Sequence, residues 1–530
     1  MNPANLPKGT SSFSALRKAD QIYVDKTELI GQLAGSRSKI ILTRPRRFGK
    51  SLLVSTFASL FRHGLRDFQG LAIEKQWTDQ TYDVVHLDFS KIIDFTDVEA
   101  FRADFQAMLA ESFGKFGFSP SRAPTRFMFE LAAWLGRRPD NSLVLLVDEY
   151  DSPLARVFHN ERSLPGIQTV LSAFFNVVKA KDACFRFIFL TGGTRLGNTG
   201  VFSGLNNLTD ISLDSRYGTL LGYTEAELHQ YFGGHLAVAA DALQISAVDL
   251  VERLKTYYGG FSFDVDGESH VFCPWSVLNF LSSARYQFDN YWFQSGGQPL
   301  VLMNFLKKRR LETPLDFLDT VPMDSSRLLS SAPYDKLDVN VLLYQTGYLT
   351  IRSVDIGGDL LLGYPNREVA ASMALLYAKV MVEDDEFTPN ALLKNLLTGD
   401  VENAVAFINQ VFLALDYQRY PIRDEASFQG CMQILMIGMS LRPQIEVHTA
   451  RGRSDMEVDA GSLHWVFEFK FAKTGVDPKV LCQEAVDQIK MRRYGSTLHG
   501  KQLIRVAMVF DEDKRQVTAW ERLPVDAVTL

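Results

Sequence analysis

Cysteine is scarce in this chain of 530 residues: Cys184, Cys273, Cys431 and Cys482 stand far apart, and no two form a CxxC pair. That spacing argues against a zinc site or a disulfide framework and fits a reducing cytoplasm. Long apolar runs are missing too. No stretch reaches 18 consecutive apolar residues, so the sequence predicts no membrane span. Met1 to Thr10 has no positive segment leading into an apolar one, and so no secretory leader is expected. Positive charge is not in excess. The formal net charge is −6, so any contact with nucleic acid has to come from a local basic surface. Internal repeats and low-complexity segments are absent.

What is present reads as globular: 46% of residues are hydrophobic and 22% charged, and the length asks for two to four domains. Lys39 to Thr43 (KIILT), Val84 to Phe89, Leu143 to Val147 and Phe185 to Leu190 are short apolar, β-rich runs separated by helical stretches such as Ser51 to Arg62. This pattern predicts a parallel sheet covered on both faces, the three-layer α/β class. We expect that core over 1–222, a helical subdomain over 223–310, a mixed, mostly helical linker over 311–415, and a second α/β domain over 416–530.

Arg44-Pro45-Arg46-Arg47-Phe48-Gly49-Lys50-Ser51 follows a strand and opens a helix. In that context backbone N–H groups at the helix start, near Gly49, face an anion. The Lys50 ammonium reaches β- and γ-phosphates, and the Ser51 hydroxyl binds magnesium. Arg44 stands where the general phosphate-loop pattern has its first glycine. Arg46 and Arg47 are either phosphate contacts or surface charges. The apolar strand Leu143 to Val147 ends in Asp148 and Glu149. Asp148 is suited to hold magnesium, and Glu149 to orient and deprotonate an attacking water. Beyond the strand Phe185 to Leu190, Thr191 is a candidate γ-phosphate sensor. Arg195 either pairs with phosphate, in cis or in a neighbouring subunit, or ties down a loop; Arg216 is a further candidate. The expected ligand is ATP with magnesium.

Near the C-terminus, Gly452-Arg453-Ser454-Asp455 leads through a turn into the strand-like Leu463 to Phe471. A turn at Ala460-Gly461 places Asp455 opposite Val466 and diagonal to Glu468, with Glu468 and Lys470 on the same face. Carboxylates placed together call for a cation, and magnesium suits oxygen ligands. There it would activate a water against a phosphodiester, with Lys470 assisting. Glu425, on the preceding helix, is a third carboxylate candidate. Gln488 and Tyr494 lie on a later helix, suited to contact substrate or orient Lys470. The alternative is an edge strand with a surface Glu–Lys pair.

Together these motifs resemble those of bacterial proteins that join an AAA-ATPase-like domain to a C-terminal PD-(D/E)XK nuclease-like domain. The resemblance rests on Tyr23-Val24-Asp25-Lys26-Thr27, on Leu42 to Ser51 and on Val147 to Leu154 (VDEYDSPL). Phe202 to Asn207, Thr346 to Thr350, Gly363 to Asn366, Gly452 to Asp455 and Glu468 to Lys470 extend it. It implies a P-loop ATPase core with a small helical subdomain, then a restriction-endonuclease-like core, and it makes Arg44 an ordinary feature of such loops. Ser454 stands where the nuclease motif has proline, and Gln488 and Tyr494 are spaced more widely than in the QxxxY form. The expected function is an ATPase that gates a magnesium-dependent nuclease acting on DNA. Two alternatives remain open: a nucleotide-dependent module that binds nucleic acid without cutting it, and a switch acting on a protein partner. Assembly of several copies is a further expectation.

Overall fold

The computed structural model describes residues 5–121, 124–158, 160, 162–195, 200–202, 205, 207–295, 300–308, 319–330, 332, 336–449, 452–495 and 500–524. Ser203, Gly204, Asn206 and Arg451, which belong to or adjoin the sequence motifs, lie outside them. The chain divides into two compact units, Met1–Asn304 with Phe317–Arg367 and Phe305–Asp316 with Glu368–Leu530. The stretch expected as a linker is therefore shared between the two.

In the first unit, strands β1 (Lys39–Thr43), β2 (Asp83–Asp88), β3 (Leu143–Asp148), β4 (Phe185–Gly192) and β5 (Thr209–Asp210) form one sheet. Their order is β2-β3-β4-β1-β5, and every pairing is parallel. β3 and β4 are buried along their whole length, which is why both read as unbroken apolar runs. On one face Phe57 and Phe61 of the helix Lys50–His63 pack against Phe187 and Phe189. On the other, Phe101, Phe105, Leu109 and Phe113 recur at helical spacing along Val98–Gly114, in one core with Leu145, Val147 and Leu190. Because the strands are parallel, all their C-terminal ends fall on one edge, where α/β sheets bind ligands.

A helical part follows, Glu225–Ala242, Ala247–Tyr258 and Pro274–Ser282, with its own core around Phe232, Leu254 and Phe280. A capping box at Thr224 and Glu227 starts its first helix. The hairpin β6 (Phe261–Ser262) and β7 (His270–Val271) and the antiparallel sheet of β8 (Val321–Met323), β9 (Thr350–Val354) and β10 (Leu360–Gly363) complete the unit. That sheet lies where mostly helical structure was expected.

The second unit is a five-stranded sheet in the order β11 (Gln444–Thr449), β12 (Gly452–Ala460), β13 (Leu463–Ala472), β14 (Gln502–Asp511) and β15 (Gln516–Leu523). β13 and β14 are parallel, joined by the crossover helix Pro478–Arg492; the other neighbours are antiparallel. Side chains alternate along β13. Trp465, Phe467 and Phe469 meet helices Asn390–Thr398, Val401–Ala414 and Glu425–Gly438, while Val466 packs with Ala485, Val486 and Ile489 of the crossover helix. The hairpin register differs from expectation by two residues. Ala460 pairs with Leu463, so the turn is Gly461-Ser462, with Gly461 at φ +60°. A left-handed first turn position suits glycine, and moving the turn there brings Asp455 from Val466 to directly opposite Glu468.

Among the described residues no single helix is long and apolar enough to cross a membrane, and none of the four cysteines forms a disulfide.

Candidate functional site

The loop between β1 and the helix Lys50–His63 is held from below. Arg44 is buried and turns inward. Its guanidinium donates to the carbonyls of Thr43 (3.0 Å), Ser212 (2.5 Å) and Tyr217 (3.4 Å), and lies 4.4 Å from the Phe263 ring centre. Burial pushes it down to about 10. A glycine at this position would take those three donors away, so the departure from the general loop pattern is structural. Phe48 anchors the loop between Phe261 and Phe263. Gly347, at φ +87°, lets Pro45 pack closely: a Cβ there would stand 2.7 Å from the Pro45 Cβ. The motif Thr346-Gly347-Tyr348 is thus the seat of the loop. Gly49 caps the helix at φ +96°, a conformation that favours glycine.

At the edge of the sheet, Lys50 is buried, with Nζ donating to the Pro45 carbonyl (3.2 Å) and standing 3.4 Å from Glu149 Oε1. Burial raises Asp148 to about 6, with the Ser51 hydroxyl opposing the rise and Glu149 adding to it. Glu149 itself is left-handed, at φ +50°. Asp151 accepts from Gly193 N (3.0 Å), Thr194 N (2.6 Å) and Thr194 Oγ1 (2.8 Å), and the Tyr150 hydroxyl donates to the Thr194 carbonyl (3.0 Å). The string DEYD therefore works in two directions. Its first two carboxylates meet the loop, and its last two residues fix the exit of β4.

A pocket of about 520 Å³ opens here, lined by Arg46, Arg47, Gly49, Lys50, Ser51 and Glu149. Its far wall comes from Tyr23, Val24, Leu221, Trp275 and Leu278, to which sequence reasoning assigned no role. Only the motif YVDKT pointed toward them. Arg47 stacks on Trp275 (4.3 Å) and donates to the Ser295 carbonyl (2.5 Å), so it is a wall of the pocket as much as a charge. Three candidates lie outside the pocket lining. The Thr191 hydroxyl is buried and donates to the Leu42 carbonyl (3.0 Å), so it faces the neighbouring strand and not the pocket. Arg195 is paired with Asp210 and its backbone N–H donates to Gln345 Oε1, which is the loop-tying alternative. Arg216 is exposed and paired with Asp214 (2.6 Å), away from the pocket lining.

In the second unit the ladder between β12 and β13 stops at Met456–Phe467. Beyond it Asp455 Oδ2 accepts from the Phe469 N–H (2.6 Å), its side chain taking over from the backbone. Glu468 is buried. One oxygen accepts from Lys470 Nζ (3.0 Å); Oε2 has no hydrogen-bond partner among the described residues. Burial, with Asp455 beside it, raises Glu468 to about 7, and burial raises Asp455 as well. An orphaned buried oxygen beside a second carboxylate is a cradle for a cation. Lys470 also reaches the Phe469 carbonyl (3.0 Å) and Glu425 (3.7 Å). Burial works against its charge, but Glu468 and Glu425 outweigh that and hold it above the usual ammonium range. Among the described residues no three His, Cys, Asp or Glu side chains converge as a metal shell. Glu425 pairs with Lys470, which leaves Asp455 and Glu468 as the two carboxylates that could hold a cation.

These groups share a cleft of about 460 Å³ with Gln488, His448, Arg453 and Arg492. Tyr494 is buried behind it and its hydroxyl accepts from Gln488 Nε2 (3.1 Å), so it orients Gln488 and does not reach the cleft. Ser454, in place of the motif's proline, donates to Glu457 (2.7 Å), which in turn meets His464 (3.2 Å). Arg492 was not anticipated. Four residues after Gln488, it shares that helix face, and it lies against Gly452, where a Cβ would collide with its guanidinium.

A parallel sheet with a phosphate-loop helix, and a mixed sheet between helices with an Asp–Glu–Lys cleft, define an α/β protein that couples a P-loop NTPase fold to a nuclease-like fold. Residues 7–202 match the family described as predicted AAA-ATPase, and residues 423–520 match the PD-(D/E)XK nuclease superfamily. The chain is 30% identical, over 98% of its own length and 99% of the relative's, to the "uncharacterized protein in vnfD 5′ region" of Azotobacter chroococcum mcd 1. The chain belongs to the family of that protein, with an N-terminal AAA-ATPase-like domain and a C-terminal PD-(D/E)XK domain.

Proposed function

We propose that the first unit binds and hydrolyses ATP with magnesium, and that this gates a magnesium-dependent cleavage of nucleic acid, DNA above RNA, in the second. The observation that carries the first half is the meeting of loop and acidic strand end: Lys50 Nζ lies 3.4 Å from Glu149, and Lys50, Ser51 and Glu149 line one pocket. Lys50 and the Gly49 amide face the phosphates, Ser51 and Asp148 hold the cation, and Glu149 takes the proton of the attacking water. A pocket of nucleotide size with an aromatic and aliphatic far wall suits a purine.

For the second half, the support is the orphaned Glu468 oxygen beside Asp455. These two carboxylates would hold magnesium, which supplies Lewis acidity and an activated water. Lys470 neutralises charge at the attacked phosphate, and Gln488, Arg453 and Arg492 offer donors to flanking phosphates. This basic rim gives a chain of net charge −6 a local place to receive a polyanion.

The test incubates the full chain with linear, plasmid and single-stranded DNA and with RNA, with and without ATP and magnesium. Cleavage that is lost in Lys470→Ala and loses its ATP dependence in Lys50→Ala supports the proposal. Retention of DNA with no cleavage under any condition overturns the nuclease half in favour of binding alone.

A further inference from the structure

Catalytic arginines serve many triphosphate sites, but the arginines expected for that duty, Arg195 and Arg216, pair with Asp210 and Asp214 and line no part of the pocket. Another lies nearer. Arg156 sits on the short helix Ser152–Val157, which starts three residues after Glu149. Ser152 and Arg156 are one helical turn apart and so share a face. Both line the pocket that also holds Lys50, Ser51, Glu149 and, from the turn after β2, Ser90. The Arg156 Nε is buried and has no hydrogen-bond partner among the described residues. Such an orphaned donor is costly unless a ligand satisfies it. Other cations lining the pocket are engaged: Lys26 with Glu227 (2.5 Å), Arg47 with Trp275 and Ser295.

We propose that Arg156 is the catalytic arginine of the ATP site, supplied by the same chain and donating to the γ-phosphate. This rests on the ATPase reading above. In hydrolysis a water oxygen bonds to the γ-phosphorus as the bond to the β,γ-bridging oxygen breaks. That electron pair stays on ADP, and the water's proton passes to Glu149 and on to the released phosphate. Negative charge grows on the bridging and γ oxygens, beside the wall that carries Arg156.

The experiment compares the full-length wild type with Arg156→Ala, Arg156→Lys and Glu149→Gln. It measures ATP affinity by calorimetry, turnover, and trapping of ADP with aluminium fluoride as a mimic of the transferring phosphoryl group. For Arg156→Ala the expected result is ATP affinity within about threefold of wild type, turnover lower by about 100-fold or more, and loss of aluminium fluoride trapping. Arg156→Lys keeps charge without the planar fork and should recover only part of the turnover. Wild-type specific activity should stay constant on dilution, as a same-chain arginine requires. Unchanged turnover in Arg156→Ala overturns the proposal. So does activity that falls on dilution and returns when Arg156→Ala and Glu149→Gln are mixed, since the arginine would then cross between copies. If wild type and Glu149→Gln both fail to bind ATP, it is the ATPase reading that falls.

Discussion

Glu468 shows how one residue can trade stability for a site. Its carboxyl titrates near 7 in the folded chain against an ordinary value of 4.5, because it is buried and faces Asp455. Below about pH 4.5 it is protonated whether the chain is folded or not, and it costs nothing. As pH rises the unfolded chain ionises first, so the folded state loses stability until about pH 7, where the penalty is complete. A tenfold change in proton affinity is worth roughly 1.4 kcal/mol; with Lys470 still partnered by Glu425, we expect Glu468→Gln to stabilise the chelator-treated protein by about 2 kcal/mol at pH 8 and by nothing at pH 4. Urea unfolding at the two pH values checks this, and equal stabilities at pH 8 would refute it. On the proposed nuclease reading the same titration bears on chemistry: magnesium would have to displace that proton, so cleavage should climb as pH passes through 7. Arg44 makes the opposite case, a charge kept for structure. Arg44→Gly restores the general loop pattern yet removes the guanidinium bonds to the carbonyls of Thr43, Ser212 and Tyr217. It should destabilise the first unit by on the order of 3 kcal/mol without tightening ATP, as denaturation and calorimetry would report.

Among the elements, the phosphate loop is positioned by parts of the chain about 300 residues downstream in sequence. Gly347 ends the helix Val339–Thr346 in a left-handed conformation and touches Pro45. Gly347→Ala adds both backbone strain and a clash, together roughly 1–3 kcal/mol. Part of that should appear as ATP binding weakened by about tenfold, although residue 347 lines no part of the pocket. Unchanged affinity would mean that the loop keeps its shape without this seat. The β12–β13 hairpin carries a parallel lesson. Alternation along the strands was readable in advance, so Asp455, Glu468 and Lys470 were expected on one face. The turn was not, because Ala460-Gly461 and Gly461-Ser462 both offer a glycine. The choice rests on Gly461 taking the left-handed first position, and it brings the two carboxylates directly opposite each other.

For the molecule as a whole, the two proposed activities on one chain predict separable lesions. Glu149→Gln should abolish ATP turnover while leaving ATP bound, and Lys470→Ala should abolish cleavage while leaving ATP turnover intact. Because cleavage is gated by ATP, the discriminating variant is Lys470→Ala: loss of ATP turnover in it while the protein remains folded would contradict two sites. Residue order alone was enough for whatever is local and periodic. The apolar strands with their polar ends, the loop Arg44 to Ser51 opening a helix, and the alternation along Leu463 to Phe471 follow from backbone geometry that neighbouring residues impose. Folding in three dimensions was needed to show which polar groups were already occupied. Thr191, Arg195, Arg216 and Glu425 have the right chemistry for a site. Yet Thr191, Arg195 and Glu425 are engaged by partners on other elements, and Arg216 by Asp214 at the surface. Arg156 Nε and Glu468 Oε2 are the buried atoms without a hydrogen-bond partner among the described residues whose side chains line the pocket and the cleft, and they point at a ligand. A buried hydrogen-bonding group must be paired, and sequence spacing does not say with what.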